Sequence, residues 1–222
     1  MHGIPHHLID IRNPDENYSA GDFVADATRL IQEISARGNL PILVGGTHFY
    51  FDALLSGLPT GVDANPVLRE KLETLPSEEL FARIREQDPR RAAELDPQNR
   101  RRLIRALEII AAKGAVPVRR RLTKKYDVGW IVINPPSEEL RARIDVRLKS
   151  AVERGLIEEV RHVREQVGDT RLNELGLEYK IVGEYLRGER AEESLLPILS
   201  AKLWQYARRQ KAWLRKLGHA VS

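Results

Sequence analysis

Leu40-Pro41-Ile42-Leu43-Val44-Gly45-Gly46-Thr47 is the stretch on which the reading of the fold turns. Five residues with almost no polarity, closed by two glycines, have the composition of a strand buried on both faces of a parallel sheet. What lies on either side fits that reading. Upstream, Ser19 with Asp22 three residues on has the form of a capping box, and Phe23, Ala27, Leu30, Ile31 and Ile34 recur at helical spacing until Gly38. Before that, His7-Leu8-Ile9-Asp10-Ile11 has the look of a short strand, ended by Asn13-Pro14-Asp15. Downstream, a helix is expected from His48 to about Leu55. Strand, helix, strand, glycine turn, helix is the rhythm of an open parallel sheet, so the expected class is α/β.

After Pro59 the pattern changes. From about Ala64 to Lys125 it is wholly helical, with starts expected at Asn65-Pro66, Ser77-Glu78-Glu79 and Asp96-Pro97. The helix begun by Asp96 turns Leu103, Leu107 and Ile110 inward and stops at Gly114. Trp130-Ile131-Val132-Ile133-Asn134 returns to a buried strand, and Pro135-Pro136 ends it. Ser137 is expected to cap a helix through about Arg154, followed by helices near 156–166, 174–186 and 196–217. The expected organisation is therefore a sheet-containing core of residues 1–63 and 126–222, interrupted by a helical insertion over 64–125.

The 222 residues are 42% hydrophobic and 31% charged, enough for a core and a solvated surface. No apolar run is long enough to span a membrane, and Met1 to His7 lacks the features of a signal peptide. Cysteine is absent, which excludes disulfides, thiolate catalysis and cysteine zinc sites within this sequence, and a cytoplasmic setting is expected. The net charge of +4 is modest, but its distribution is not even. Acid-free basic clusters lie at Arg119, Arg120, Arg121, Lys124 and Lys125, and again at Lys202, Arg208, Arg209, Lys211, Arg215 and Lys216. A third cluster is Arg100, Arg101, Arg102 and Arg105. Such segregation suits a polyanion, although each cluster taken singly also fits a solvated helix face.

Three features carry candidate chemistry. Gly45-Gly46-Thr47 ahead of a helix lets a backbone approach a phosphate, with Thr47 adding a hydroxyl, and it equally fits an ordinary tight turn with Thr47 as N-cap. Arg143 and Arg147, four apart, share a helix face and suit a pyrophosphate, or pair with Glu139 or Asp145. The last helix interleaves Trp204, Tyr206 and Trp213 with arginines, as base stacking with phosphate contact requires, or as an amphipathic helix does by packing its aromatics inward.

Taken in order, these segments resemble the bacterial tRNA dimethylallyltransferase (tRNA isopentenyltransferase) family. The residues that carry the resemblance are Pro5 to Ile11, Tyr18 to Phe23, Pro41 to Thr47 with Tyr50, Ala53 to Leu58, Arg102 to Glu108, Arg143-Ile144 with Arg147, Arg208-Arg209-Gln210 and Trp213-Leu214-Arg215. The resemblance implies transfer of a dimethylallyl group from dimethylallyl diphosphate to the N6 amine of the adenosine 3′ of the anticodon. It implies a P-loop NTPase-like parallel sheet core whose helical insertion grips the tRNA anticodon stem-loop, in a cytoplasmic protein expected to be monomeric. Thr47 and Arg69 would contact tRNA near the reaction channel, and Arg101, Arg102 and Arg105 the anticodon stem-loop. Arg208, Arg209, Gln210, Lys211, Trp213 and Arg215 would do so from the core. Arg147, with Arg143 beside it, would stabilise the departing diphosphate, making Arg147 and Thr47 the candidate catalytic residues. Mg²⁺ is implied with the diphosphate. Two departures stand out. Glu178-Tyr179-Lys180 stands where many members have Gly-Tyr-Arg, so Tyr179 and Lys180 keep the charge but lose the bidentate fork. The family's GxxxxGK[ST] loop and its Ser-Asp-Ser-type base are absent from the sequence, which leads to the expectation of an N-truncated, inactive portion lacking the first strands and exposing Ile42, Leu43 and Val44. A non-catalytic tRNA-binding module, or a small-molecule kinase relative, are the other readings.

Overall fold

The computed structural model describes residues 3–58, 62–118 and 126–218, the last four of these by backbone alone. The chain divides into two compact units, Met1–Leu54 with Tyr126–Ser222, and Leu55–Lys125.

In the discontinuous unit, α1 (Ala20–Ala36) opens on a complete capping box. The Ser19 side chain accepts from Gly21 and Asp22 amides, and the Asp22 carboxylate accepts from the Ser19 amide at 2.7 Å. α2 (His48–Ser56) follows the glycine turn. The remaining helices of this unit are α7 (Ser137–Glu153), α8 (Leu156–Leu175, kinked at Gly168), α9 (Leu177–Leu186) and α10 (Leu195–Gly218). A turn of 3-10 helix, Glu192–Ser194, leads into α10. Their core is one apolar cluster. Ile144 and Leu148 of α7, Val160 and Leu172 of α8, and Ile181 and Val182 of α9 meet Leu195, Leu199, Leu203 and Ala207 of α10.

The continuous unit is built from α3 (Pro66–Glu73), α4 (Ser77–Gln87), the short α5 (Pro89–Ala93) and α6 (Arg100–Lys113). Leu80 and Ile84 of α4 and Leu103, Leu107 and Ile110 of α6 fill its centre. Asn65 caps α3 as its sequence requires, and Gly114, at φ 78°, ends α6. Other helix starts differ from expectation. Pro76 and Pro136 occupy the capping positions of α4 and α7, so Ser77 and Ser137 are first helical residues and not caps. Asp96 closes a turn onto the Gln98 amide, and Asn99 caps α6 by accepting from Arg102.

The expected parallel sheet is absent: no strand is present among the described residues. Residues 40–44 and 130–134 carry strand-like composition, but a strand exists only as a partner in a hydrogen-bonded ladder, and neither segment has one. Far from buried, Val44 and Ile131 are each 91% exposed, and Leu40, Ile42 and Ile133 also face outward. Leu8 and Asp10 have positive φ, which breaks the extended run expected over 7–11. The α/β assignment is therefore replaced by a helical architecture among the described residues.

Two buried carboxylates pin the continuous unit. Asp88 accepts from the Arg91 and Val116 amides. Glu108, fully buried, accepts from Arg69 at 2.9 Å, Arg105 at 3.1 Å and the Asn65 amide at 3.2 Å. Burial pushes the Glu108 carboxyl up, but Arg69, Arg105 and Asn65 outweigh it and hold the group below its ordinary value of 4.5. A depressed folded value stabilises the fold above the unfolded one, so this contribution is complete above about pH 4.5 and disappears as pH falls through the lowered value. Glu108→Gln is expected to cost about 1–3 kcal/mol at neutral pH and to flatten the acid limb of a stability profile measured by denaturant titration. Arg69 and Arg105, both partly in water, limit the loss. Conversely, Val44→Ser and Ile131→Ser should each change stability by less than about 0.5 kcal/mol, and a loss of several kcal/mol would show these side chains to be packed.

Candidate nucleic-acid interface

Helix α10 has two faces because its apolar residues step by three and four. Leu199, Leu203 and Ala207 point into the core, and the stripe continues into Gln210 and Trp213, both partly buried. Gln210 Nε2 donates to the Gly46 carbonyl at 3.0 Å. Lys211 Nζ donates to the Pro135 carbonyl at 2.8 Å and reaches Ser137 Oγ at 3.5 Å. Trp213 stacks on His48, with centroids 5.1 Å apart. On the other face, Arg208 and Arg209 are exposed and have no ion-pair partner among the described residues. Trp204, Arg208 and Lys211 form one wall of an open pocket of about 280 Å³, with Asn134 and Ser137 opposite. Arg215 continues the helix, but its side chain lies outside the described residues, as do Arg119, Arg120, Arg121, Lys124 and Lys125.

On α7, Arg143 is bound to Glu139 at 2.5 Å, one of the two pairings its sequence allowed. Arg147, one turn on, is exposed and without a partner among the described residues; Asp145 is taken by Ser200 Oγ. Only Arg147 of the two retains a guanidinium free of intramolecular ion pairing. Thr47 is exposed at the start of α2, its carbonyl accepting from the Tyr50 amide. In α9, the Tyr179 hydroxyl donates to Glu159 at 2.5 Å, and burial together with that carboxylate pushes its pKa up to about 12. Tyr179 is thus a neutral donor already engaged, while Lys180 beside it is exposed.

In the continuous unit, Arg69 and Arg105 share Glu108, and Arg105 also donates to the Val62 and Asp63 carbonyls. Arg101 and Arg102, at the start of α6, are exposed, with side chains that have no partner among the described residues. Of the residues singled out for RNA or diphosphate contact, those whose side chains have no partner among the described residues are Arg101 and Arg102 here, and Arg147, Lys180, Arg208 and Arg209 in the other unit.

Sequence reasoning missed Glu108 and the aromatic group of His48, Phe51, Trp130 and Trp213. Signals for both exist: a lone acid inside the apolar run Leu103–Ile110, and the run His48-Phe49-Tyr50-Phe51. Among the described residues no group of three or more His, Cys, Asp or Glu could hold a metal ion. No helix among them is long and apolar enough to cross a membrane.

A profile of the IPP transferase family matches residues 1–217. The tRNA dimethylallyltransferase 1 of Citrifermentans bemidjiense is 38% identical over 96% of this chain and 72% of its own length. That of Thermomicrobium roseum is 39% identical over 97% of this chain and 68% of its own. Among solved structures, the full-length tRNA isopentenylpyrophosphate transferase of Bacillus halodurans superposes with a TM-score of 0.67 at 35% identity, covering 97% of this chain and 70% of that one. A eukaryotic dimethylallyltransferase acting on tRNA gives a TM-score of 0.79 at 25% identity, over 96% of this chain and 56% of its own. With its match extending over nearly the whole sequence and its relatives acting in tRNA modification by prenyl transfer, this chain belongs to the IPP transferase family.

Proposed function

We propose that this chain grips the anticodon stem-loop of tRNA for transfer of a dimethylallyl group from dimethylallyl diphosphate to the N6 amine of the adenosine 3′ of the anticodon, as a monomer in the cytoplasm. The observation that carries the RNA part is that Arg101 and Arg102 of one basic cluster on α6, and Arg208 and Arg209 of another on α10, are exposed with side chains that have no partner among the described residues. Guanidiniums not committed to carboxylates keep their full donor set for phosphate oxygens. The target base must leave its stack to react, which a single-stranded loop makes cheap. Thr47 and the Gly45-Gly46 backbone, all exposed, would offer a hydroxyl and amides to a polar edge of such a base.

Breaking the allylic C–O bond concentrates negative charge on the departing diphosphate, and a fixed guanidinium offsets that charge. Arg147 is the group we assign to this, since it is exposed and unpaired, whereas Arg143 is partly neutralised by Glu139. Magnesium would neutralise the diphosphate further, but the described residues offer it no ligand cluster, so no step is drawn through it. The sequence has no GxxxxGK[ST] loop to cradle the diphosphate. A second reading is a tRNA-binding chain without catalysis of its own, and incubation with dimethylallyl diphosphate and an anticodon stem-loop separates the two. We expect no transfer by this chain alone; turnover at an ordinary enzymatic rate would overturn that expectation.

RNA binding is tested by filter binding over a range of salt. The chain should bind an anticodon stem-loop with log affinity falling linearly against log salt, about 0.7–0.9 of a unit of slope for each phosphate contacted. Arg209→Ala and Arg101→Ala should each cost on the order of 1 kcal/mol and shallow the slope by about one contact. Absence of binding at low salt would end the tRNA reading. Arg69→Ala is a contrasting case: it should lower thermal stability as well, because it strips a partner from buried Glu108.

A further inference from the structure

The Gly45-Gly46-Thr47 turn is fastened from outside itself. Gly46 does not have a positive φ, so its backbone conformation does not demand glycine. A Cβ at Gly46 would overlap Gln210 Nε2 and lie 3.1 Å from Cδ of the same side chain, so any side chain there displaces that amide. That amide also donates to the Gly46 carbonyl at 3.0 Å. Two residues along the turn, His48 stacks on Trp213 at an interplanar angle of 26°. Trp213 in turn meets Trp130 edge-on at 6.4 Å, and Trp130 meets Phe51 of α2 at 5.9 Å. The turn and the first turn of α2 are thus seized at two points, Gly46 and His48, by residues one helical turn apart on α10.

We propose that Gln210 is a positioning residue, a latch through which α10 sets the orientation of the turn that presents Thr47. One of its two amide N–H groups is committed to a protein carbonyl, which fixes the side chain against the turn. Gly46 is the socket of the latch, because a side chain there would push the Gln210 amide off the Gly46 carbonyl. Arg208 and Arg209 leave the same helix on its outer face, so the latch makes Thr47 and those two guanidiniums parts of one frame. The functional half of this inference rests on the reading of Thr47 as an RNA contact; the mechanical half concerns only packing within this chain.

The two halves are tested separately with the full chain, by a double-mutant cycle on Gly46→Ala and Gln210→Ala. The first readout is amide hydrogen exchange over residues 46–50. Gly46→Ala alone should speed exchange there by about tenfold, as loss of one latch hydrogen bond implies. In the Gln210→Ala background, where the socket is empty, the same substitution should add almost nothing. Should Gly46→Ala fail to fold, recovery of folding in the double variant is the equivalent result. Equal effects of Gly46→Ala in both backgrounds, or unchanged exchange in Gln210→Ala, would overturn the latch. The second readout is affinity for an anticodon stem-loop. Gln210→Ala should weaken it several-fold without a matching fall in melting temperature, a split that a packing role alone would not give. Coupling in the exchange cycle with RNA affinity unchanged would overturn the positioning role. If the wild-type chain binds no RNA, the tRNA reading and the functional half both fail, and the exchange cycle alone decides the latch.

Discussion

A helix can commit only one stripe of its surface to a core, and in α10 that choice governs the rest of the unit. Leu195, Leu199, Leu203 and Ala207 are spaced so that α7, α8 and α9 share a single apolar cluster with them. The same phase carries on past the core and delivers Gln210 and Trp213 to the loop before α2, so the geometry of that loop is fixed by the register of a helix far away in sequence. It also dictates which basic residues remain free. Arg208 and Arg209 are outside because Ala207 and Gln210 are inside, and Lys211, though basic, spends its charge on the Pro135 carbonyl. Cations in one run of sequence thus differ in what they can offer a phosphate.

The continuous unit handles charge differently. It buries one carboxylate, Glu108, against two guanidiniums, leaving an excess of one positive charge at a place where both arginines still touch water. A buried carboxylate would be costly without such partners, and its desolvation is offset only because three donors converge on it. The arrangement ties the start of α3 to the middle of α6 and holds Arg69 and Arg105 in fixed orientations. Arg101 and Arg102 have no such constraint.

Helical features were legible in the sequence wherever the signal was local. The capping box at Ser19, the cap at Asn65, the stop at Gly114 and the inward Leu103, Leu107 and Ile110 all depend on residues within a few positions of each other. The sheet was misread because strand character is not local: Leu40 to Val44 and Trp130 to Asn134 have the composition of buried strands, yet pairing is supplied by another segment, and composition cannot report whether one is there. For the candidate site, basic clusters were visible, but not their allocation. The pairing of Arg143 with Glu139 was one of two open choices, while Arg69 meets Glu108 across 39 residues of sequence, and only Arg105, three residues away, lies within local reach of it. The close approach of Gln210 to Gly46, separated by 164 residues, left no trace at either position beyond the glycine itself.

The division into a continuous and an interrupted unit has a consequence for how the chain comes off the ribosome. Every contact in the cluster around Leu80, Ile84 and Leu103 joins residues within Leu55–Lys125, so that unit can close as soon as its own last helix is made. In the other unit the partners of the Gly46 turn on α10 are translated 164 residues after it. Until then Gly46 and His48 lack Gln210 and Trp213. Synthesis order therefore leaves the turn that carries Thr47 unfastened until α10 has been made.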